Sequence, residues 1–344
     1  MDTFCVLPWY SLELPSNSPC CLLPKNTNVE QLKQDLLAGI KSDSCKKCWF
    51  IEETGNMSRR QLENQFLDHK LNCDLSKIQK DCVDNKNKTL LYQLTTSNLC
   101  NQACVSCGSG ASSKWAELNR KNNLHYVKHK QLDIGSFDID YAQMQRLSLL
   151  GGEPLFDPQT YDILQNLVDH NNTGCFVTLV TNGSIQLNSL QVDLLKKFTD
   201  LNICISIDGI ESAFEYLRWP GNWKNLINNL NHYQEITSNI SISYTISSLN
   251  TLYYDQTTEW FNKNNLRYNH NIVEFPNWLS VKNMPIEFKE LLKNHRFFKD
   301  HCVVNGQENS LSDLRNHVLQ QDKLKKISIQ DYMPAVAKLI FDTV

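Results

Sequence analysis

From residue 90 onward, short apolar runs alternate with longer amphipathic stretches. The runs at 90–94, 146–150, 175–180, 201–207, 240–246 and 270–274 are rich in Leu, Val and Ile and end in polar or glycine residues, so each predicts a strand. Between them, apolar positions at helical spacing predict helices over 158–171, 190–198, 223–236 and 255–264. Strands alternating with helices of this length imply an α/β fold with a parallel sheet and crossover helices. Ligands gather at the carboxyl ends of the strands in such folds. Here those ends carry a loop beginning at Cys100, then Gly151-Gly152-Glu153-Pro154, Thr181-Asn182-Gly183 and Ser206-Ile207-Asp208-Gly209.

Before residue 85 the pattern is different. Two segments, 29–41 and 60–71, have helical spacing, strand pattern is sparse, and the stretch is rich in Cys, Asn, Lys and Ser. The polar Asp81–Lys88 stretch is the expected boundary, dividing the chain into a small cysteine-rich domain (1–85), an α/β core (86–280) and a helical C-terminal extension (281–344). The segment Ile329–Pro334 is expected to pack on the core.

Composition narrows the function classes. The chain has 344 residues and a net charge of −3, so charge implies no nucleic-acid partner. Its apolar runs are too short for a membrane-spanning helix. The first residues lack the basic and long apolar stretches of an export signal, so a cytoplasmic location is expected. Thirteen cysteines are many, and their number is odd. In a reducing compartment, clustered cysteines read as metal ligands or reactive thiols rather than as a disulfide framework.

Two clusters stand out. Cys100-x3-Cys104-x2-Cys107 puts three thiols on one loop after the first core strand. Soft thiolates at this spacing suit iron–sulfur or zinc. Iron–sulfur clusters usually take four thiolates, so three would leave one iron open. Zinc usually shows a second paired C-x2-C, which is lacking here. The second cluster is Cys5, Cys20-Cys21 and Cys45-x2-Cys48.

The triplet, with its place after a first strand, resembles the radical SAM superfamily. Gly151, Gly152, Glu153 and Pro154 look like that family's second-strand motif, which receives the amino group of S-adenosylmethionine (SAM). Ser206 and Asp208 sit where fourth-strand residues contact the ribose. Thr181 and Asn182 resemble the third-strand end. Arg218 matches an arginine that reaches a carboxylate of SAM or substrate, with a plain helix arginine as the alternative. Ser247, Asn250 and residues 273–276 are further positions expected near the cofactor. Glycines at 151 and 152 would allow close backbone approach to a ligand. The residue before the third cysteine, commonly aromatic in the family, is Ser106 here.

The resemblance implies a partial (β/α)6 TIM-type barrel. It also implies a [4Fe–4S] cluster on Cys100, Cys104 and Cys107, reductive cleavage of SAM to a 5′-deoxyadenosyl radical, hydrogen abstraction from a substrate, and an electron donor such as flavodoxin or ferredoxin. The N-terminal cysteines, followed by Glu52–Arg60, resemble twitch or SPASM modules, which bind an auxiliary [4Fe–4S] cluster. The implied ligands are Cys5, Cys20, Cys45 and Cys48, with Cys21 competing with Cys20 and a zinc site as the alternative. Such relatives often modify ribosomal peptides, so a peptide or protein substrate is expected. A radical SAM epimerase or dehydrogenase of a sugar or amino acid is the alternative within enzymes. A non-catalytic electron-transfer or structural metal protein is the alternative outside them. Cys175 and Cys204 read as buried small hydrophobes, Cys73 and Cys82 have no metal-pair spacing, and Cys302 reads as an ordinary thiol, with hydrogen-atom donation to a substrate radical as its alternative.

Overall fold

The computed structural model describes residues 3–72, 74–84, 88–304 and 306–342. Cys73 and part of the expected boundary stretch, residues 85–87, lie outside the described residues. One sheet contains seven strands: Ser11–Leu14 (β1), Leu91–Thr95 (β2), Arg146–Leu150 (β3), Phe176–Thr181 (β4), Leu201–Ser206 (β5), Ile240–Ile246 (β6) and Arg267–Ile272 (β7). Every pairing is parallel, and neighbours in space are neighbours in sequence. An order that never reverses winds one way, as a barrel does, whereas a doubly wound sheet turns back at its middle. β1 and β7 remain edges, so the barrel is open. β2 to β7 are the six strands expected of a (β/α)6 core.

β1 departs from the expectation of little strand structure before residue 85. It is only four residues long, and its Glu13 is buried against Arg59, so a charge interrupts the apolar signal. β7 begins three residues before the expected His270. As an exposed edge strand it carries polar Asn269, His270 and Asn271 and needs no apolar run.

The strands alternate. Leu147, Leu149, Val177, Leu179, Ile203, Ile205, Ile242 and Tyr244 are buried in the main core. The opposite face carries Gln93, Ser148, Thr178, Ser206, Ser241 and Ser243, all half-buried. A second, smaller core gathers Phe4, Val6, Leu7, Trp9, Leu32, Leu36, Trp49 and Leu67 with Leu91 of β2. The N-terminal segment is tied to the barrel by Lys70–Asp200 at 3.0 Å, Arg146–Glu63, and Lys47–Glu274 at 3.4 Å. The C-terminal extension is helical over Leu311–Lys325, Ile329–Tyr332 and Pro334–Asp342. Its Val318, Ile329 and Met333 are buried in the main core, as expected for this tail. Among the described residues no helix is long and apolar enough to cross a membrane.

Candidate active site

The loop between β2 and the helix Ser113–Lys121 carries Cys100, Cys104 and Cys107. Its backbone is held on several sides. Ala103 N–H donates to Trp219 O (2.7 Å) and Val105 N–H to Leu217 O (2.8 Å), pinning the loop to the end of the helix Glu211–Leu217. Ser113 Oγ donates to Cys100 O and accepts from Cys100 N–H, both at 3.0 Å. Trp115 Nε1 donates to Cys104 O (2.8 Å). Ser112 caps the following helix and also donates to Gln102 O. Cys100 and Cys104 are buried, and Cys107 is exposed.

The strand-end residues knit to this loop. Gly152 N–H donates to Ser97 O and Glu153 N–H to Leu99 O, both at 2.8 Å. A Cβ on Gly152 would stand 2.3 Å from Leu99 O, and one on Gly151 would stand 2.9 Å from Ser97 O. Both glycines lie tightly against the backbone that leads into the cysteine loop. Glu153 is 1% exposed and accepts from Thr181 Oγ1 (2.7 Å), Asn182 N–H (2.6 Å) and Leu155 N–H (3.0 Å). Burial pushes its carboxyl up to about 7 against those three donors. With three of roughly four acceptor positions used, the carboxylate mainly joins the ends of β3 and β4. Pro154 opens the short helical turn Pro154–Phe156 and is buried. Asn182 reaches the loop directly, with Nδ2 donating to Asn101 Oδ1 (2.9 Å) and lying 3.9 Å from Cys100 Sγ.

Asp208 and Arg218 meet each other rather than standing free. Arg218 Nε lies 2.9 Å from Asp208 Oδ2, and Nη2 donates to Oδ1 at 3.0 Å, with both side chains buried. Asp208 Oδ1 also accepts from Thr245 N–H at 3.0 Å. Arg218 Nη1 lies 4.0 Å from Cys104 Sγ. A buried arginine whose charge a carboxylate already balances, set beside a thiol, favours the thiolate. Burial drives Cys100 up to about 11 and Cys104 up to about 12, and Arg218 opposes the rise at Cys104. Ser106, Asp208, Thr245, Ser247 and Asn250 line a small cavity of about 10 Å³, with room for about one water. Ser206 is half-buried at the end of β5. In the segment 273–276, Val273 is buried and Phe275 exposed.

Cys5, Cys20, Cys45 and Cys48 line one pocket, walled by Leu7, Leu22, Leu23 and Leu32. Cys21 is exposed and takes a hydrogen bond from Arg59 Nη1 instead. The chain turns here, with Leu23 N–H donating to Cys20 O at 3.2 Å, and Cys20 is the buried one of the two. Burial raises Cys5 well above the usual thiol range, Cys20 to about 11 and Cys45 to about 12. Arg59 opposes the rise at Cys20, and Arg60 opposes it at Cys45. Arg60 is itself fixed by Glu52 at 2.9 Å and by stacking over Trp49 at 5.0 Å.

Both cysteine sets fit an iron–sulfur cluster by donor chemistry, with soft sulfurs and arginines to balance negative charge, and the N-terminal set is walled by leucines as well. Among the described residues, no three His, Cys, Asp or Glu side chains converge on a single-ion site. A four-iron cluster is held one thiolate per iron, so its ligands need not converge as zinc ligands do.

Sequence reasoning missed Trp115 and Lys325. Lys325 is 3% exposed, with its Nζ 5.0 Å from the centre of the Trp115 ring and 5.9 Å from that of Tyr216. It ends a helix with the mixed sequence Leu-Ser-Asp-Leu-Arg-Asn-His-Val, in which a lysine reads as solvated. Of the other cysteines, Cys175 and Cys82 are buried, and Cys204 and Cys302 are partly so.

No family model matches the sequence, and no curated protein matches it. Among solved structures, anSMEcpe with bound AdoMet aligns at 16% identity over 69% of this chain and 67% of that one, with a TM-score of 0.43. SuiB of Streptococcus suis bound to S-adenosylmethionine aligns at 14% identity over 66% of this chain and 49% of that one, with a TM-score of 0.41. SuiB bound to its precursor peptide SuiA aligns at 14% identity over 85% of this chain and 62% of that one, again at 0.41. The chain spans about half of SuiB in the SAM-bound structure. Likenesses this distant do not bear on this chain's activity.

Proposed function

We propose that this protein is a radical SAM enzyme with a [4Fe–4S] cluster on Cys100, Cys104 and Cys107 and an auxiliary [4Fe–4S] cluster on Cys5, Cys20, Cys45 and Cys48, and that it modifies a peptide or protein. The observation that carries this reading is the three-thiol loop, clamped by Gly152, Glu153 and Asn182 at the carboxyl end of an open parallel barrel. The cluster, when bound, would pass one electron to SAM and yield methionine and a 5′-deoxyadenosyl radical that takes a hydrogen atom from substrate. The chain's own residues do the rest. The Asp208–Arg218 pair puts a fixed, balanced cation beside Cys104. Glu153, Thr181 and Asn182 lock the strand ends that face SAM. The half-buried polar face of the sheet offers hydrogen-bonding groups to a polar substrate, and the buried core on the other face holds the strands in place. A donor of the flavodoxin or ferredoxin type would supply the electron, and the cytoplasm would keep the thiols reduced.

Anaerobically reconstituted protein should bind about eight irons per chain. With dithionite and SAM it should release 5′-deoxyadenosine and methionine in equal amounts, read by chromatography. Stoichiometric zinc without iron uptake would overturn the reading.

The auxiliary site makes a sharper expectation. Cys20→Ser should lower iron by up to about four per chain, whereas Cys21→Ser should leave it unchanged. Equal losses in both variants, measured by iron assay, would remove Cys20 from the ligand set.

A further inference from the structure

Lys325 is a buried cation with no direct hydrogen-bond partner among the described residues. The nearest carboxylate on its own helix, Asp322, spends one oxygen on Tyr216 OH (2.8 Å) and the other on Ile329 N–H (2.9 Å). The ammonium rests instead between the faces of Trp115 and Tyr216. A buried ammonium without a direct hydrogen bond costs stability, and further negative charge nearby would offset that cost. The same Trp115 ring meets the cysteine loop at its edge, where the indole N–H donates to Cys104 O at 2.8 Å. Asp322 on the same helix holds the Lys325 amine up against burial. Burial brings the amine down to about 8, which keeps it protonated at neutral pH.

We propose that Lys325, delivered by the C-terminal helix, is a positioning residue whose fixed charge behind the Cys104–Cys107 turn raises the reduction potential of the cluster bound there. The inference rests on the triplet holding a cluster. Adding one electron from a low-potential reductant makes the cluster one unit more negative, and a nearby cation in a low-dielectric setting stabilises that reduced form. Arg218 shares its charge with Asp208 at 2.9 Å, and Lys325 adds a second cation from a different element. The C-terminal extension thereby becomes part of the active site without touching SAM or substrate.

The test is a potentiometric titration of the full-length, reconstituted protein, followed by the EPR signal of the reduced cluster that responds to SAM. Lys325→Met should move that midpoint to more negative potential, while Lys325→Arg should stay near wild type. The signal of the auxiliary cluster should not move. Iron content should be unchanged, and circular dichroism of Lys325→Met should match wild type. If Lys325→Met fails to fold, Lys325→Gln replaces it in the same titration. A loaded, folded neutral variant with an unmoved midpoint overturns the inference while leaving the cluster intact. Wild-type protein that takes up no iron at the triplet overturns the cluster reading, and this inference with it.

Discussion

Cys104→Ala should form no detectable 5′-deoxyadenosine with dithionite and SAM, and should lose about half of the iron. The loss will be chemical rather than structural. The contacts that hold this turn are made by backbone atoms: Cys104 O to Trp115 Nε1, Ala103 N–H to Trp219 O, and Val105 N–H to Leu217 O. All three survive when the side chain becomes a methyl. Circular dichroism of the variant should therefore match wild type. The iron that remains should be the auxiliary cluster, since Cys5, Cys20, Cys45 and Cys48 line a separate pocket. Wild-type rates of 5′-deoxyadenosine formation would mean that this loop does not carry the chemistry.

Arg218→Leu should cost about 3–5 kcal/mol of stability, because it leaves the Asp208 carboxylate buried without its partner. Both side chains are almost wholly buried, and the pair makes two contacts at 2.9 and 3.0 Å. Removing both charges together is a different matter. Arg218→Leu with Asp208→Leu should recover much of the loss, since replacing a buried pair by apolar groups is often near neutral. Asp208 also anchors Thr245 N–H, so some deficit should persist in the double variant. Urea unfolding of the two single variants and the double variant gives the coupling directly. Additive losses would show that the pair is not an interacting unit. The single Arg218 variant should also bind iron at the triplet less firmly, because the cation beside Cys104 is gone.

Most core strands were legible because each is a compact apolar run bounded by polar or glycine residues, with the exposed edge strand β7 the exception. Arg146–Leu150 and Ile240–Ile246 come out at the residues their pattern predicts. β1 was not legible: four residues with a buried Glu13 carry no alternation, and only Arg59, forty-six positions away, makes that burial tolerable. The cysteine spacing marked both clusters, because ligands on one loop must be close in sequence. It could not choose between Cys20 and Cys21, which differ only in the side of the chain they face.

The local pattern of the chain thus determined an α/β core of six successive parallel strands, the loop that carries three thiols, and the strand ends around it. Tertiary structure decided the rest. It turned Gly151 and Gly152 toward the cysteine loop, paired Asp208 with Arg218, and committed Glu153 to the joint between two strands. It also carried Lys325 from a polar-looking tail helix to a buried place beside Trp115. Apart from the Asp208–Arg218 pair, whose members are ten residues apart, the physical reason is shared. Periodicity reports which side of an element is apolar, but the partner of a buried charge or a close backbone contact comes from a distant segment that leaves no mark on the local sequence.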